Sequence, residues 1–277
     1  MLKSLLLIFL LLPASLFATD ARLNDYPKAS DWEIAAEAGD ADAMYNLAVI
    51  YHKNIKDLEK AEYWYKRAYE KDKGSDTASN LGYLYDDLKQ YGKAEKWYRI
   101  ASEAGDKDGA FNLALLYNKT LRQPQKSLPY YEKAYSLGDT SAPLSLGVVY
   151  EKEFKNYEKA VEWYKKAYEM GNIEGANGLA YLCEHTLHDD ACAEEWYLKA
   201  AKGNERKALG NLAKFYRKKG DNVKAGAYAI SLIGNGYTKE KIFGYLQKWN
   251  LTKDQIRQAY ELQKTFDIPK HFTGGID

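Results

Sequence analysis

KAEYWYKRAYE at residues 60–70, KAEKWYRIASE at 93–103 and KAVEWYKKAYE at 159–169 are copies of one pattern. Their central aromatic belongs to a column, Trp64, Trp97, Tyr130, Trp163 and Trp196, in which each member stands 33 residues after the last. A fixed period of that length marks a repeat array, each unit being one supersecondary element. Four residues after each aromatic comes an alanine, Ala68, Ala101, Ala134, Ala167 and Ala200, the interval that puts two side chains on one helical face. A second column precedes the aromatics by 16 or 17 residues: Leu47, Leu81, Leu113, Leu146 and Leu179, with Leu212 opening a sixth unit. Tyr51, Tyr85, Tyr117, Tyr150, Cys183 and Tyr216 follow these leucines by four. Each unit is therefore predicted to be a helical hairpin.

Stacked hairpins that touch only their neighbours make an all-α chain, a right-handed α-solenoid of antiparallel helix pairs. The composition agrees: 46% apolar and 29% charged residues are ordinary for a globular protein, while 25 Tyr against 8 Phe is not. Tyrosine keeps a polar tip and suits half-exposed seams between stacked helices. A net charge of +1 gives no general electrostatic footprint for nucleic acid or an anionic membrane, and both are set aside as main partners.

Residues 1–18 read as a secretory signal. Lys3 supplies the positive start, Leu5 to Leu12 the apolar run, and Pro13 to Ala18 the approach to a small residue suited to cleavage. The run is too short to span a bilayer, which takes about 20 apolar residues, and no other stretch is a candidate span. The mature chain is thus expected to be soluble and periplasmic or secreted. Residues 19–39 form a lead and a half-repeat, in which Ser30 and Glu33 are placed to make a capping box. Six hairpins follow at 40–72, 73–105, 106–138, 139–171, 172–203 and 204–236, together spanning 40–236. Their first helices open at Asp40, Asp106, Asp139, Asn172 and Asn204, each preceded by a glycine suited to the left-handed end of the helix before. Second helices open at Asp57, Asn156, Asp189 and Asp221, with Gln90 and Gln123 in the same place elsewhere. Pro124 fits a first helical position. Pro129 should kink its helix or delay its start, and the boundary at Asp72 to Gly74, lacking Ala-x-Gly, should be looser. Residues 237–270 supply two closing helices, the second opened by Thr252 and Gln255, and 271–277 form a tail.

Units written NLGYLY…KAEKWYRIASEAGD and SLGVVY…KAVEWYKKAYEMGN resemble the Sel-one-like repeat family, a relative of the tetratricopeptide repeats. The family's longer glycine-containing loop between paired helices is absent: from Tyr51 to Ala61 the link is as short as in tetratricopeptide units. The resemblance implies a binding scaffold for a protein or peptide, without cofactor. In resembling arrays the first helices line a concave face, which here implies a groove of Tyr45, Val49, Ser79, Tyr83, Phe111, Leu115, Leu144, Val148, Asn177 and Tyr181. His52, Asp86, Asp87, Asn118, Lys119, Glu151 and Lys152 would rim it. The alternative is that these side chains simply pack between neighbouring helices. Resembling arrays also serve as periplasmic antidotes to secreted lipase toxins, and cysteine-rich relatives are associated with β-lactam binding or hydrolysis. The repeated cysteine pairs of those relatives are missing here, apart from Cys183 and Cys192.

One cluster in the hairpin 172–203 has chemical potential: Cys183, His185, His188, Asp189, Asp190 and Cys192. Both cysteines flank one turn, and export favours a disulfide between them. A soft-metal site is the other reading, but the spacing matches no standard zinc pattern and Asp189 serves as a helix cap. The sequence contains no nucleophile elbow, metalloprotease helix or phosphate loop, so no catalytic residue is assigned. Arg206, Lys207, Lys214, Arg217, Lys218 and Lys219 read as a solvated basic end.

Overall fold

The computed structural model describes residues 20–272, 274 and 275. The predicted leader, residues 1–18, lies outside the described residues. By internal contacts the chain falls into two compact units, the first ending at Leu113 and the second beginning at Ala114. The first unit holds a 3-10 turn at Ala21–Asp25, then α1 (Ala29–Glu37), α2 (Ala41–Val49), α3 (Leu58–Asp72), α4 (Ser75–Asp87), α5 (Tyr91–Glu103) and most of α6 (Lys107–Leu115). The second holds α7 (Pro124–Ser136), α8 (Ala142–Lys152), α9 (Tyr157–Glu169), α10 (Ile173–Leu182), α11 (Asp190–Lys202), α12 (Arg206–Lys218), α13 (Asn222–Ile230), α14 (Lys239–Lys248) and α15 (Lys253–Lys264). Among the described residues there is no strand, only an isolated bridge between Ile233 and Tyr237. From α1 to α5 and from α7 to α13 each helix packs on its neighbours in sequence, the order of stacked antiparallel hairpins.

Capping explains most of the starts. Asp40, Asp57, Asn156, Asp189 and Asp221 accept a backbone N–H three residues on, at 2.7 to 3.1 Å. Asp139 accepts from Ser141 and Ala142 N–H before α8 begins. Two sequence expectations fail. The Ser30 box does not form, because α1 already starts at Ala29 and places Ser30 inside the helix. Asn204 does not cap α12; it takes the left-handed position itself (φ 63°), and Glu205 caps instead, accepting from Lys207 N–H. Asparagine tolerates that conformation, which frees Gly203 to stay right-handed. The helix α7 starts at Pro124 without delay and runs through Pro129 to Ser136. At the Asp72 boundary Lys73 turns left-handed (φ 55°) and Gly74 N–H donates to the Asp72 carboxylate at 2.8 Å.

The hairpin turns share one hydrogen bond. The N–H of Asp57, Gln90, Gln123, Asn156, Asp189 and Asp221 donates to the carbonyl of Tyr51, Tyr85, Tyr117, Tyr150, Cys183 and Tyr216 respectively, at 2.7 to 3.0 Å. The residue just before each donor is left-handed: Lys56, Lys89, Arg122, Lys155, His188 and Gly220, with φ between 54° and 80°. Five of these six are not glycine, although the conformation costs an L-residue roughly 1–2 kcal/mol. In three turns the first helix loosens into a π-turn to reach it, at Ile50–Ile55, Leu116–Thr120 and Cys183–Leu187.

The deepest rings are not the 33-residue column but its neighbours. Tyr65, Tyr98, Tyr131, Tyr164 and Tyr197 are at most 2% exposed. Trp97, Tyr130 and Trp196 stay half-buried, and Tyr69–Trp97, Tyr135–Trp163 and Tyr168–Trp196 meet edge-to-face at 4.8 to 5.6 Å. In two hairpins a glycine after the first-helix leucine makes room for the buried ring, where the others carry alanine. A methyl on Gly82 would fall 2.4 Å from Tyr98 Cδ1, and one on Gly147 2.6 Å from Tyr164 Cδ1. At the C-terminal end α15 covers α13: Phe266 stacks on Tyr228 at 4.3 Å, and Thr252 and Gln255 complete the predicted capping box.

Candidate binding surfaces

The first unit carries a cleft of about 310 Å3 on its first-helix side. Ser79, Asn80 and Tyr83 of α4 form one wall, Asp108, Phe111 and Asn112 of α6 the other, and Lys53 closes an end. Three predicted groove residues, Ser79, Tyr83 and Phe111, therefore meet in one concavity. Tyr45 stands behind it, its hydroxyl accepting from Asn80 Nδ2 at 3.0 Å, and burial raises its pKa. Val49 is half-buried on α2. Tyr83 is 38% exposed yet braced: His52 packs against its ring at 5.3 Å and Lys53 Nζ lies 3.7 Å above it. A cation held over a ring fixes the ring's orientation while leaving its edge open.

In the second unit Leu115, Leu144, Val148 and Asn177 are half-buried, and Asn177 Oδ1 accepts from Asn211 Nδ2 at 3.0 Å. Tyr181 is 43% exposed and stacked on His185 at 4.0 Å. A larger cleft of about 750 Å3 opens beside α12, where the sequence reads only a solvated basic end.

Part of the expected rim is core. His52 is fully buried, and Asn118 and Glu151 nearly so, with Glu184 in the same repeat position. At Glu151 and Glu184 the residue after the first-helix tyrosine or cysteine points inward, where it serves the hydroxyl of a buried second-helix tyrosine, whereas Arg217 in the same place is exposed. Tyr164 donates to Glu151 at 2.6 Å and Tyr197 to Glu184 at 3.1 Å. Tyr131, beside Asn118, is pushed up to about 12 by burial, and burial followed by the Glu151 contact raises Tyr164 further. In the first unit His52 fills this place. Its Nε2 pairs with Asp87 at 3.1 Å, its ring meets Tyr65 edge-on, and burial holds its pKa below the ordinary value. Asp86 is half-buried and raised by burial and by the Asp87 charge, while Asp87, Lys119 and Lys152 face solvent as expected.

The cysteine cluster resolves into separate structural roles. Cys183 and Cys192 are joined by a disulfide across a Cα separation of 5.8 Å. Asp189 caps α11, Asp190 pairs with Lys219, His185 lies on Tyr181, and His188 takes the left-handed turn. Among the described residues no three His, Cys, Asp or Glu side chains converge as a metal site would need, and no helix is long and apolar enough to cross a membrane.

The Sel1 repeat model matches residues 107–139, 145–172 and 173–205, and tetratricopeptide repeat models match 20–76 and 76–104. The chain belongs to the Sel1-like and tetratricopeptide repeat proteins. The two repeat types divide it, with tetratricopeptide units ahead of Sel1 units. A protective antigen present in uropathogenic Escherichia coli strains and displaying an SLR fold is 27% identical, with a TM-score of 0.62 over 86% of this chain and 55% of the other. This chain thus spans about half the length of that protein. A Sel1 repeat protein from Oxalobacter formigenes aligns at 24% identity and TM-score 0.56, over 71% of this chain and 87% of that one. A tetratricopeptide-repeat protein from Cytophaga hutchinsonii aligns at 19% identity and TM-score 0.58, over 86% and 95%. No curated protein matches.

Proposed function

We propose that this repeat protein is an exported, non-enzymatic scaffold that binds a protein or peptide through the first-helix side of its hairpins. The observation that carries the reading is the cleft of the first unit, where an exposed but braced Tyr83 stands beside half-buried Phe111 and the Asn80 amide. A rigid aromatic, a second ring and an amide oxygen together suit an extended polypeptide: rings anchor side chains, and Asn80 Oδ1 can accept from a backbone N–H while its Nδ2 donates to Tyr45 and to the Asp76 carbonyl. The disulfide supports an oxidising compartment. In the cysteine cluster Cys183, Cys192, His185, Asp189 and Asp190 each have a structural partner, which supports binding rather than turnover.

The test uses the mature chain as bait in periplasmic extract from the bacterium that encodes it. Wild type should retain a polypeptide that the double variant Tyr83→Ala, Phe111→Ala loses, while helical content by circular dichroism stays the same. Equal retention by the variant would overturn the site. Hydrolysis of a β-lactam by the wild type would overturn the non-enzymatic reading. Recovery of a lipase toxin would narrow the scaffold to an immunity protein.

A further inference from the structure

One cleft of the second unit is bounded by α12 on one side and by α13 and α14 on the other, with a volume of about 750 Å3. That lies within the range of ligand-binding sites. It exists because α15, rather than α14, provides most of the cover on α13, leaving α14 standing away from α12. The two walls differ in chemistry. From α12 come Arg206, Lys207, Lys214, Arg217 and Lys218, and no carboxylate is among the lining residues described. Facing them are the aliphatic Leu232 and Ile242 with the rings of Tyr245 and Trp249.

Two of the five cations are already engaged, Lys207 with Glu174 at 3.4 Å and Lys218 with Glu184 at 3.7 Å. Among the described residues the heads of Arg206, Lys214 and Arg217 have no carboxylate within salt-bridge distance. They are nonetheless held in place. The Arg217 guanidinium lies 5.0 Å from the Trp249 ring centre, and Arg206 Nη1 packs so closely on Gly236 that a methyl there would come within 2.5 Å of it. Tyr245 is 37% exposed at the opposite wall. Oriented, unpaired guanidinium groups are geared to planar carboxylates.

We propose that this cleft binds an acidic, amphipathic peptide segment, its carboxylates on Arg206, Lys214 and Arg217 and its apolar side chains against the accessible rings of Tyr245 and Trp249, which the buried Leu232 and Ile242 back. Charge complementarity selects the occupant, and a bounded cleft of about 750 Å3 selects a short peptide segment over nucleic acid, whose bases would call for successive rings along a continuous basic track. The site shares no residue with the cleft around Tyr83, so either reading can fail without the other.

The probe is a fluorescent eight-residue peptide of alternating Glu and Leu, titrated into the full mature chain and followed by anisotropy and by Trp fluorescence. Binding should be saturable, should weaken several-fold between 50 and 200 mM salt as screened ion pairs do, and should fall at least about tenfold in Lys214→Glu, Arg217→Glu, equivalent to about 1.4 kcal/mol. The neutral pair Lys214→Gln, Arg217→Gln should give an intermediate loss, and Tyr83→Ala, Phe111→Ala none. The proposal is overturned if the peptide does not bind, if a Lys and Leu peptide binds as well, or if both charge variants bind like wild type. Tighter binding of an eight-nucleotide oligothymidylate or of phosphatidylglycerol vesicles overturns it too.

Discussion

Adding one methyl group at Gly82 tests how tightly a first helix packs on the buried tyrosine of its partner. The new carbon would lie 2.4, 2.7 and 2.8 Å from Cδ1, Cε1 and Cγ of Tyr98. Non-bonded carbons settle at about 3.5–4.0 Å, so the overlap is on the order of 1 Å against a ring that is 1% exposed. Overpacking of a closed core typically costs about 1–3 kcal/mol. Replacing a helical glycine by alanine returns roughly 0.5–1 kcal/mol. The net expectation for Gly82→Ala is a loss of about 1–2 kcal/mol, which at a urea slope near 2 kcal/mol/M lowers the midpoint by roughly 0.5–1 M. The control lies on the helix that carries Tyr98: Gly92 has no atom within 4 Å of an added methyl, so Gly92→Ala should be neutral or stabilising. Urea melts followed at 222 nm compare the two, and Tyr98→Leu should remove the Gly82→Ala penalty in a double-mutant cycle. A Gly82→Ala midpoint at or above wild type would refute the reasoning.

Three further outcomes follow from other contacts. Cys183→Ala with Cys192→Ala should destabilise the second unit by about 2–3 kcal/mol, the loop-closure value for so short a span, read as a fall in thermal midpoint that reductant reproduces in the wild type. Tyr164→Phe removes a hydrogen bond to the nearly buried Glu151 carboxylate and should cost about 1.5–3 kcal/mol, while the corresponding change at the exposed Tyr245 costs little. Burial outweighs the Asp87 bond and depresses the His52 pKa. The unfolded chain therefore takes up the proton first, and stability held in full above the ordinary histidine range near 6.5 declines as pH falls from there toward the folded value. His52→Phe should flatten the first unit's stability between pH 7.5 and 5, and an unchanged slope would count against this reading.

The hairpins are legible in the sequence because their signals are local and repeated. A 33-residue aromatic column, the alanine four beyond it and an Asp or Asn at most helix starts survive in the structure. What the sequence hides is which of two adjacent rings lies deeper: Trp97 and Tyr98 are neighbours of similar hydropathy, and packing against Gly82 of the preceding helix goes with the deeper burial of the tyrosine. His52, Asn118 and Glu151 read as rim because polar residues near a helix end are usually solvated, yet a buried tyrosine hydroxyl draws Asn118 and Glu151 inward, and His52 is buried beside the Tyr65 ring with Asp87 on its Nε2. The left-handed Lys56, Lys89, Arg122 and Lys155 carry no glycine signal, their turns being imposed by the hydrogen bond that closes each hairpin. The disulfide follows from spacing and compartment. The α12 cleft does not, because its walls come from helices whose separation depends on how α15 packs.

A photo-crosslinking residue at position 83, compared with one at the exposed Lys96 of α5, addresses the scaffold reading most directly. Irradiated in periplasm, the position-83 chain should form one covalent adduct with a polypeptide, and Tyr45→Ala should weaken that adduct while the position-96 chain forms none. Adducts of equal yield from both positions, or none from position 83, would contradict the claim that the first-helix cleft holds the partner.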